Sequence, residues 1–161
     1  MEHISPKIPV STPKLVLASS SLYRRQLLDK LTIPYYTHTP DIDETPLADE
    51  SPEQLVLRLA LSKAKTAAID YPQALIIGSD QIALLAGEIM TKPHSHLQAK
   101  AQLKRASGQQ VVFLTSLCLL NAISGDYQLD VIPYAVNFLP LTDSQIENYL
   151  NKERLIVTDS H

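Results

Sequence analysis

The sequence predicts a mixed α/β fold, with residues 14–154 forming one domain. Short apolar runs at 14–19, 74–77 and 111–120 have the length and composition of buried strands. Between and after them lie segments with apolar residues at helical spacing, two of which open on capping boxes. Strands and helices alternate roughly, and long strand-like runs late in the chain add antiparallel pairing. A chain of 161 residues can bury roughly 70% of its unfolded surface, so no disulfide or metal staple is required for a core.

The elements follow in order. Residues 1–13 contain Pro6, Pro9 and Pro13 and no apolar h-region, so they read as a flexible N-terminal extension and not a signal peptide. The first strand, at 14–19, ends in Ser19, Ser20 and Ser21, and a helix starts near Ser21 with Leu27, Leu28 and Leu31 toward the core. Residues 33–39 read as a second strand, followed by an acidic loop from Pro40 to Glu50. The helix from Ser51 has the strongest signals. Ser51 caps, Pro52 suits the first helical position and Gln54 completes a capping box. Its core face is Leu55, Val56, Leu59 and Ala64, running to about Ile69. A strand at 74–77 meets Gly78-Ser79-Asp80-Gln81, apolar residues resume to Leu85, and Ala86-Gly87-Glu88 turns. A helix covers 95–107, with Gly108 in the left-handed position that ends helices. The strand at 111–120 turns at Ser124-Gly125-Asp126 into a strand pair ending near Leu139. Thr142 and Gln145 form a second capping box, opening a helix through Tyr149.

Composition narrows the function classes. Hydrophobic residues make up 45% and charged residues 19%, which is globular composition. The net charge of −3 supplies no basic surplus for duplex DNA or RNA. No apolar run reaches the roughly 20 residues that span a bilayer. The single cysteine, Cys118, excludes an internal disulfide and favours the cytoplasm. Cys118 lies among leucines in a strand and reads as a buried thiol; beyond His94-x-His96, the histidines His38, His94, His96 and His161 lack ligand-like spacing and read as surface histidines.

Four constellations could carry chemistry. Ser19 to Arg25 places hydroxyls at a strand end and a helix N-terminus, with Arg24 and Arg25 one turn inside, as an anion needs. The same residues also suit a plain capped helix with solvated arginines. Asp41, Asp43 and Glu44 offer hard oxygens for a cation such as Mg²⁺, or simply form a solvated acidic loop. Asp80, at the carboxyl end of a strand, could bind metal or take a proton from water, or merely cap a turn. Lys92, fixed beside Pro93, and Lys63 on the preceding helix are point charges suited to phosphate, though isolated lysines are usually solvated.

Taken in order, LVLASSSLYRRQLL, DIDET, VLRLALSKAK, LIIGSDQIALLAGEIMTKP and LKRASGQQVVFLT resemble the Maf family of nucleotide pyrophosphatases, from about Lys14 to about Glu153. The resemblance implies a mixed-sheet, two-lobed fold with a central nucleotide cleft, like that of inosine-triphosphate pyrophosphatases. It implies hydrolysis of a nucleoside triphosphate to the monophosphate and pyrophosphate with a divalent cation, Mg²⁺ or Mn²⁺. By position, Asp80 matches the family's proton acceptor and, with Glu44, its metal-holding carboxylates. Lys63, Lys92, Arg24 and Arg25 match the basic residues around the triphosphate, and Ser19 and Ser21 the hydroxyls lining it.

Tyr23 and Gln81 resemble the 7-methyl-GTP-directed branch, since the dTTP- and UTP-directed branch carries Arg and Thr there. An aromatic ring can stack on a cationic methylated purine, and Gln81 could bond a base edge. Leu22 stands where proline is usual. Family members continue into a segment resembling AGSFxxEGxG, whereas here residues 155–161 diverge. The last elements of the fold are therefore expected to be missing, through a frameshift or premature stop. The exposed apolar surface and strand edges this leaves would admit a homodimer. Two further readings stay open: an inactive fragment that at most binds nucleotide, and the dTTP- or UTP-directed branch.

Overall fold

The computed structural model describes residues 14–157; the expected extension at 1–13 and the end of the tail at 158–161, with His161, lie outside the described residues. Among these, six strands form one mixed sheet with four helices. In chain order they are β1 (Leu15–Ala18), α1 (Leu22–Asp29), β2 (Tyr36–His38), α2 (Pro52–Asp70), β3 (Leu75–Leu85), β4 (Glu88–Met90), α3 (His96–Ala106), β5 (Gln110–Asn121), β6 (Tyr127–Asn137) and α4 (Asp143–Val157). The strands lie in the order β2-β1-β3-β5-β6, with β4 also on β3. β1 is parallel to β2 and β3, and the remaining pairs are antiparallel. The expected mixed α/β architecture is what the chain adopts. No helix among the described residues is long and apolar enough to cross a membrane.

Local chemistry sets the helix ends. Ser21 Oγ accepts from the Arg24 N–H at 3.3 Å, and Ser95 caps α3 in the same way. Ser51 and Gln54 exchange both capping-box bonds, as do Thr142 and Gln145. Between β3 and β4, Ala86 and Gly87 both have positive φ (52° and 80°), the conformation that two-residue hairpin turns require.

The long α2 is the principal packing element. Leu55, Val56, Leu59, Ala60, Ala64 and Ala67 are buried on it. Its alanines pack with Val16 and Ala18 of β1, Ile76 of β3, and Cys118 and Leu120 of β5. The approach is closest at Gly78, where a Cβ would stand 2.2 Å from the Ala60 carbonyl oxygen. A second cluster, Leu85, Ala106 and Val111 with Met90, Phe113 and Phe138, lies at the other end of β3 and β5. On the sheet face away from α2, Leu117, Leu119 and Ile132 remain exposed.

Several expectations are corrected. The strand expected at 33–39 is only Tyr36–His38, because Pro34 and the loop at Pro40 limit what can pair with the four residues of β1. Of the three leucines expected to face the core, only Leu28 is buried; Leu27 is exposed on the short α1, and Leu31 is exposed beyond its end. The strand does not stop at Gly78 but continues to Leu85, because β5 pairs with it along its whole length. A single strand, β6, stands where a strand pair was expected, and α4 runs past Tyr149 to Val157. His38 and His96 are partly buried, each beside a carboxylate: Asp70 at 3.1 Å and Glu147 at 3.0 Å. Cys118 is fully buried, as expected.

Candidate active site

The sheet changes partners in the middle of β3. The last β1–β3 pair is Ala18 with Gly78, and the first β4–β3 pair is Ala83 with Met90. Residues 79–82 thus have a neighbour only on the β5 side. Asp80 sits in this window. The carboxyl end of a strand does face the site, as sheets of this kind arrange their ligands, but the strand is β1, leading into Ser19–Ser21 and α1.

Period-two alternation turns Asp80 toward α2 and Gln81 away from it. Lys63 of α2 donates to Asp80 Oδ1 at 2.8 Å, and both residues are buried. Glu44 Oε1 lies 3.8 Å from the same ammonium. On the β1 side Ser19 is buried, and its Oγ accepts from the Ser21 N–H at 3.0 Å and from Arg24 Nη1 at 3.5 Å. Burial pushes the Arg24 guanidinium below the ordinary arginine value, partly offset by the charges of Asp80 and Glu44. Desolvated cations, the buried Asp80 carboxylate and the exposed Glu44 carboxylate therefore face one another at the point where β1 leaves β3.

The loop bearing Glu44 is tied down by Arg58 of α2. Arg58 Nε donates to Glu50 Oε2 at 2.6 Å, and Nη2 donates to Glu50 Oε1 at 3.0 Å and to the Thr45 carbonyl at 3.1 Å. Bonding from Arg58 holds the Glu50 carboxyl below its usual range. Behind Asp80, the buried Ser116 Oγ accepts from the Asp80 N–H at 3.1 Å and donates to the Val56 carbonyl at 2.6 Å. Ser79 Oγ donates to the Ser116 carbonyl at 2.6 Å.

Of the residues expected in a site, the structure brings together Ser19, Ser21, Arg24, Glu44, Lys63 and Asp80. The remaining expected residues are placed as follows. Tyr23 is 68% exposed on α1. Arg25 is half-buried, with its Nε buried and lacking a partner. Gln81 is exposed and donates to Thr115 Oγ1 at 2.8 Å. Lys92 is exposed just past β4, next to Thr91, whose carbonyl accepts from Gln102. Arg58, Glu50, Ser79 and Ser116 were not anticipated. The signals were an arginine inside the apolar run LVLRLAL and a serine in the strand FLTSLCLL. A cavity of about 530 Å³, lined by Leu75, Leu119, Asn121, Gly125, Asp126, Tyr127 and Gln128, lies at the other end of the sheet and shares none of these groups.

No group of three or more His, Cys, Asp or Glu side chains among the described residues is placed to hold a metal ion. Glu44 and Asp80 together supply two hard carboxylate oxygens around Lys63. That donor set suits Mg²⁺, which proteins often hold by one or two carboxylates while substrate phosphates and water complete the octahedron.

Comparison with known proteins shows what the chain is similar to. The family model for Maf-like protein matches residues 14–158. A protein of Nitrosococcus oceani named 7-methyl-GTP pyrophosphatase is 51% identical over 142 residues, 88% of this chain and 71% of that protein. One of the same name from Pseudomonas savastanoi pv. phaseolicola is 50% identical over 142 residues, 88% of this chain and 74% of its own length.

Proposed function

The chain belongs to the Maf family, and on that premise we propose that it is a nucleoside-triphosphate pyrophosphatase that hydrolyses 7-methyl-GTP to the monophosphate and pyrophosphate. The observation that carries the reading is the buried Lys63–Asp80 pair, with Glu44, Arg24 and Ser19 beside it where β1 leaves β3. A triphosphate needs cations and hydroxyls around its oxygens, and its hydrolysis needs a group to take a proton from water.

Asp80 is the proton acceptor, drawing the proton from the water that attacks the α-phosphorus. Ser116 fixes the Asp80 backbone from behind, so the carboxylate meets that water in a set orientation. Lys63 faces the developing charge on the phosphates, and Arg24 can grip them by its planar fork. Arg25, with a buried and unbonded Nε, gains a partner when an anion arrives. Ser19 and Ser21 line the same approach, and Lys92 adds a point charge from beyond β4. Glu44 and Asp80 would hold Mg²⁺ or Mn²⁺, which neutralises phosphate charge when bound. Tyr23, exposed beside Arg24, would stack on the cationic methylated base, and Gln81 would bond its edge. A single cysteine accords with work in the reducing cytoplasm.

The test is pyrophosphate release from 7-methyl-GTP, GTP, dTTP and UTP with Mg²⁺ or Mn²⁺, by the native chain and by Asp80→Asn. The reading expects 7-methyl-GTP to be preferred and Asp80→Asn to lose about 100-fold or more in kcat. Unchanged turnover by Asp80→Asn removes Asp80 as the base. Preference for dTTP or UTP removes the assigned substrate.

A further inference from the structure

We infer that Arg58 is a positioning residue for this reaction, holding Glu44 beside Lys63 by clamping the loop between β2 and α2. The inference rests on the role given to Glu44 above. Glu44 lies in a stretch with no regular structure between His38 and Pro52, and its side chain is 57% exposed. A segment of that kind has little intrinsic definition unless other groups tie it down.

Arg58 supplies the tie from both sides of the loop. Its fork closes on both oxygens of Glu50, at 2.6 and 3.0 Å, while Nη2 also donates to the carbonyl of Thr45, the residue after Glu44. The bonds then spread along the loop. Glu50 Oε1 accepts from the Leu47 N–H at 3.0 Å, and Asp43 Oδ1 accepts from the Thr45 N–H at 2.9 Å. Thr45, directly after Glu44, is thus held at both ends of its backbone, its carbonyl by Arg58 and its N–H by the Asp43 side chain.

Arg58 and Lys63 rise from the same helix. The loop anchor and the ion partner of Glu44 are therefore carried by one rigid element, so the clamp references the loop beside Glu44 to the helix that bears Lys63. A planar fork with several fixed donors is needed to close on two acceptors at once, which an ammonium cannot reproduce. A purely structural role for Arg58 would stiffen the start of α2 without regard to Glu44.

The experiment compares Arg58→Lys, Glu44→Gln and the double variant by kcat and KM separately, with amide hydrogen exchange at Thr45 and Leu47. Arg58→Lys should lower kcat by about tenfold or more, with a smaller change in nucleotide KM, and should speed exchange at both amides. In the Glu44→Gln background it should cause no further loss, since the two residues act as one unit. Losses that multiply, or an unchanged kcat in Arg58→Lys, overturn the inference. If Glu44→Gln alone is fully active, the role of Glu44 fails first and the clamp has nothing to position. Should Arg58→Lys not fold, Glu50→Gln opens the same clamp with Arg58 intact, and the same criteria apply.

Discussion

Replacing Gly78 by alanine tests whether the contact between α2 and β3 sets the reactive geometry. A Cβ there would meet the Ala60 carbonyl oxygen at 2.2 Å and the Ala64 Cβ at 3.1 Å, whereas real Cβ contacts essentially never fall under 3.0 Å. The first obstacle is helix backbone, so α2 must retreat by about 0.8 Å or more at this point. Overpacking of this kind costs about 1–3 kcal/mol. Gly78 does not have positive φ, so alanine adopts its backbone freely and returns about 0.4–1 kcal/mol through the unfolded chain. A net loss of about 1–2 kcal/mol follows, which for a chain of this size lowers Tm by about 5 °C. The retreat also carries Lys63 away from Asp80, and a misplacement near 1 Å can cost up to about 100-fold in rate. Urea unfolding and pyrophosphate release on Gly78→Ala measure both effects. An unchanged midpoint refutes the close approach. A lowered midpoint with native kcat refutes the link from helix position to chemistry.

Lys63→Met leaves the Asp80 carboxylate buried without its cation and should cost about 3 kcal/mol by urea unfolding; adding Asp80→Leu should restore part of that, and no recovery would count against the pair as the cause. Lys100 first, then His96, holds the Glu147 carboxyl below its ordinary 4.5. A carboxyl lowered in the native state stabilises it fully above that value, and the contribution is lost as pH falls through the lower native one. Glu147→Gln should therefore flatten the acid limb of stability below about pH 4.5, and superimposable profiles would sink the idea. Burial raises the Cys118 thiol, so a thiol reagent should label it only at the rate of unfolding; rapid labelling of the native protein would contradict the packing around it.

Sequence-local physics was legible. Ser51 with Gln54 and Thr142 with Gln145 form their capping boxes, and the apolar stripe of α2 is buried as its spacing implies. What the sequence obscured depends on partners distant in the chain. Asp80 read as a residue after a strand because Gly78 resembles a stop, and only pairing with β5 carries the strand on. Arg58 was unremarked because its value comes from Glu50 and Thr45, on a loop whose path no periodicity encodes. Ser116 bonds both Asp80 and Val56, partners far away in the chain that no local pattern encodes. Ser19, Arg24, Glu44, Lys63 and Asp80 enter the proposed site through the ordered motifs, not through any one of them alone.

The half-paired window of β3 has a consequence for how such a catalyst can diversify. Asp80 and Gln81 are adjacent in sequence yet project to opposite sides of one strand, and the margin between them is open from Ser79 to Ile82. A ligand draped over that margin can touch both sides at once. Inheritance can then vary the outward positions, Gln81 with its neighbour Thr115, while the inward ones stay tied to Lys63 and Ser116. On the roles proposed for Gln81 and Asp80, a randomised library confined to positions 81 and 115 explores new bases with the inward residues held constant.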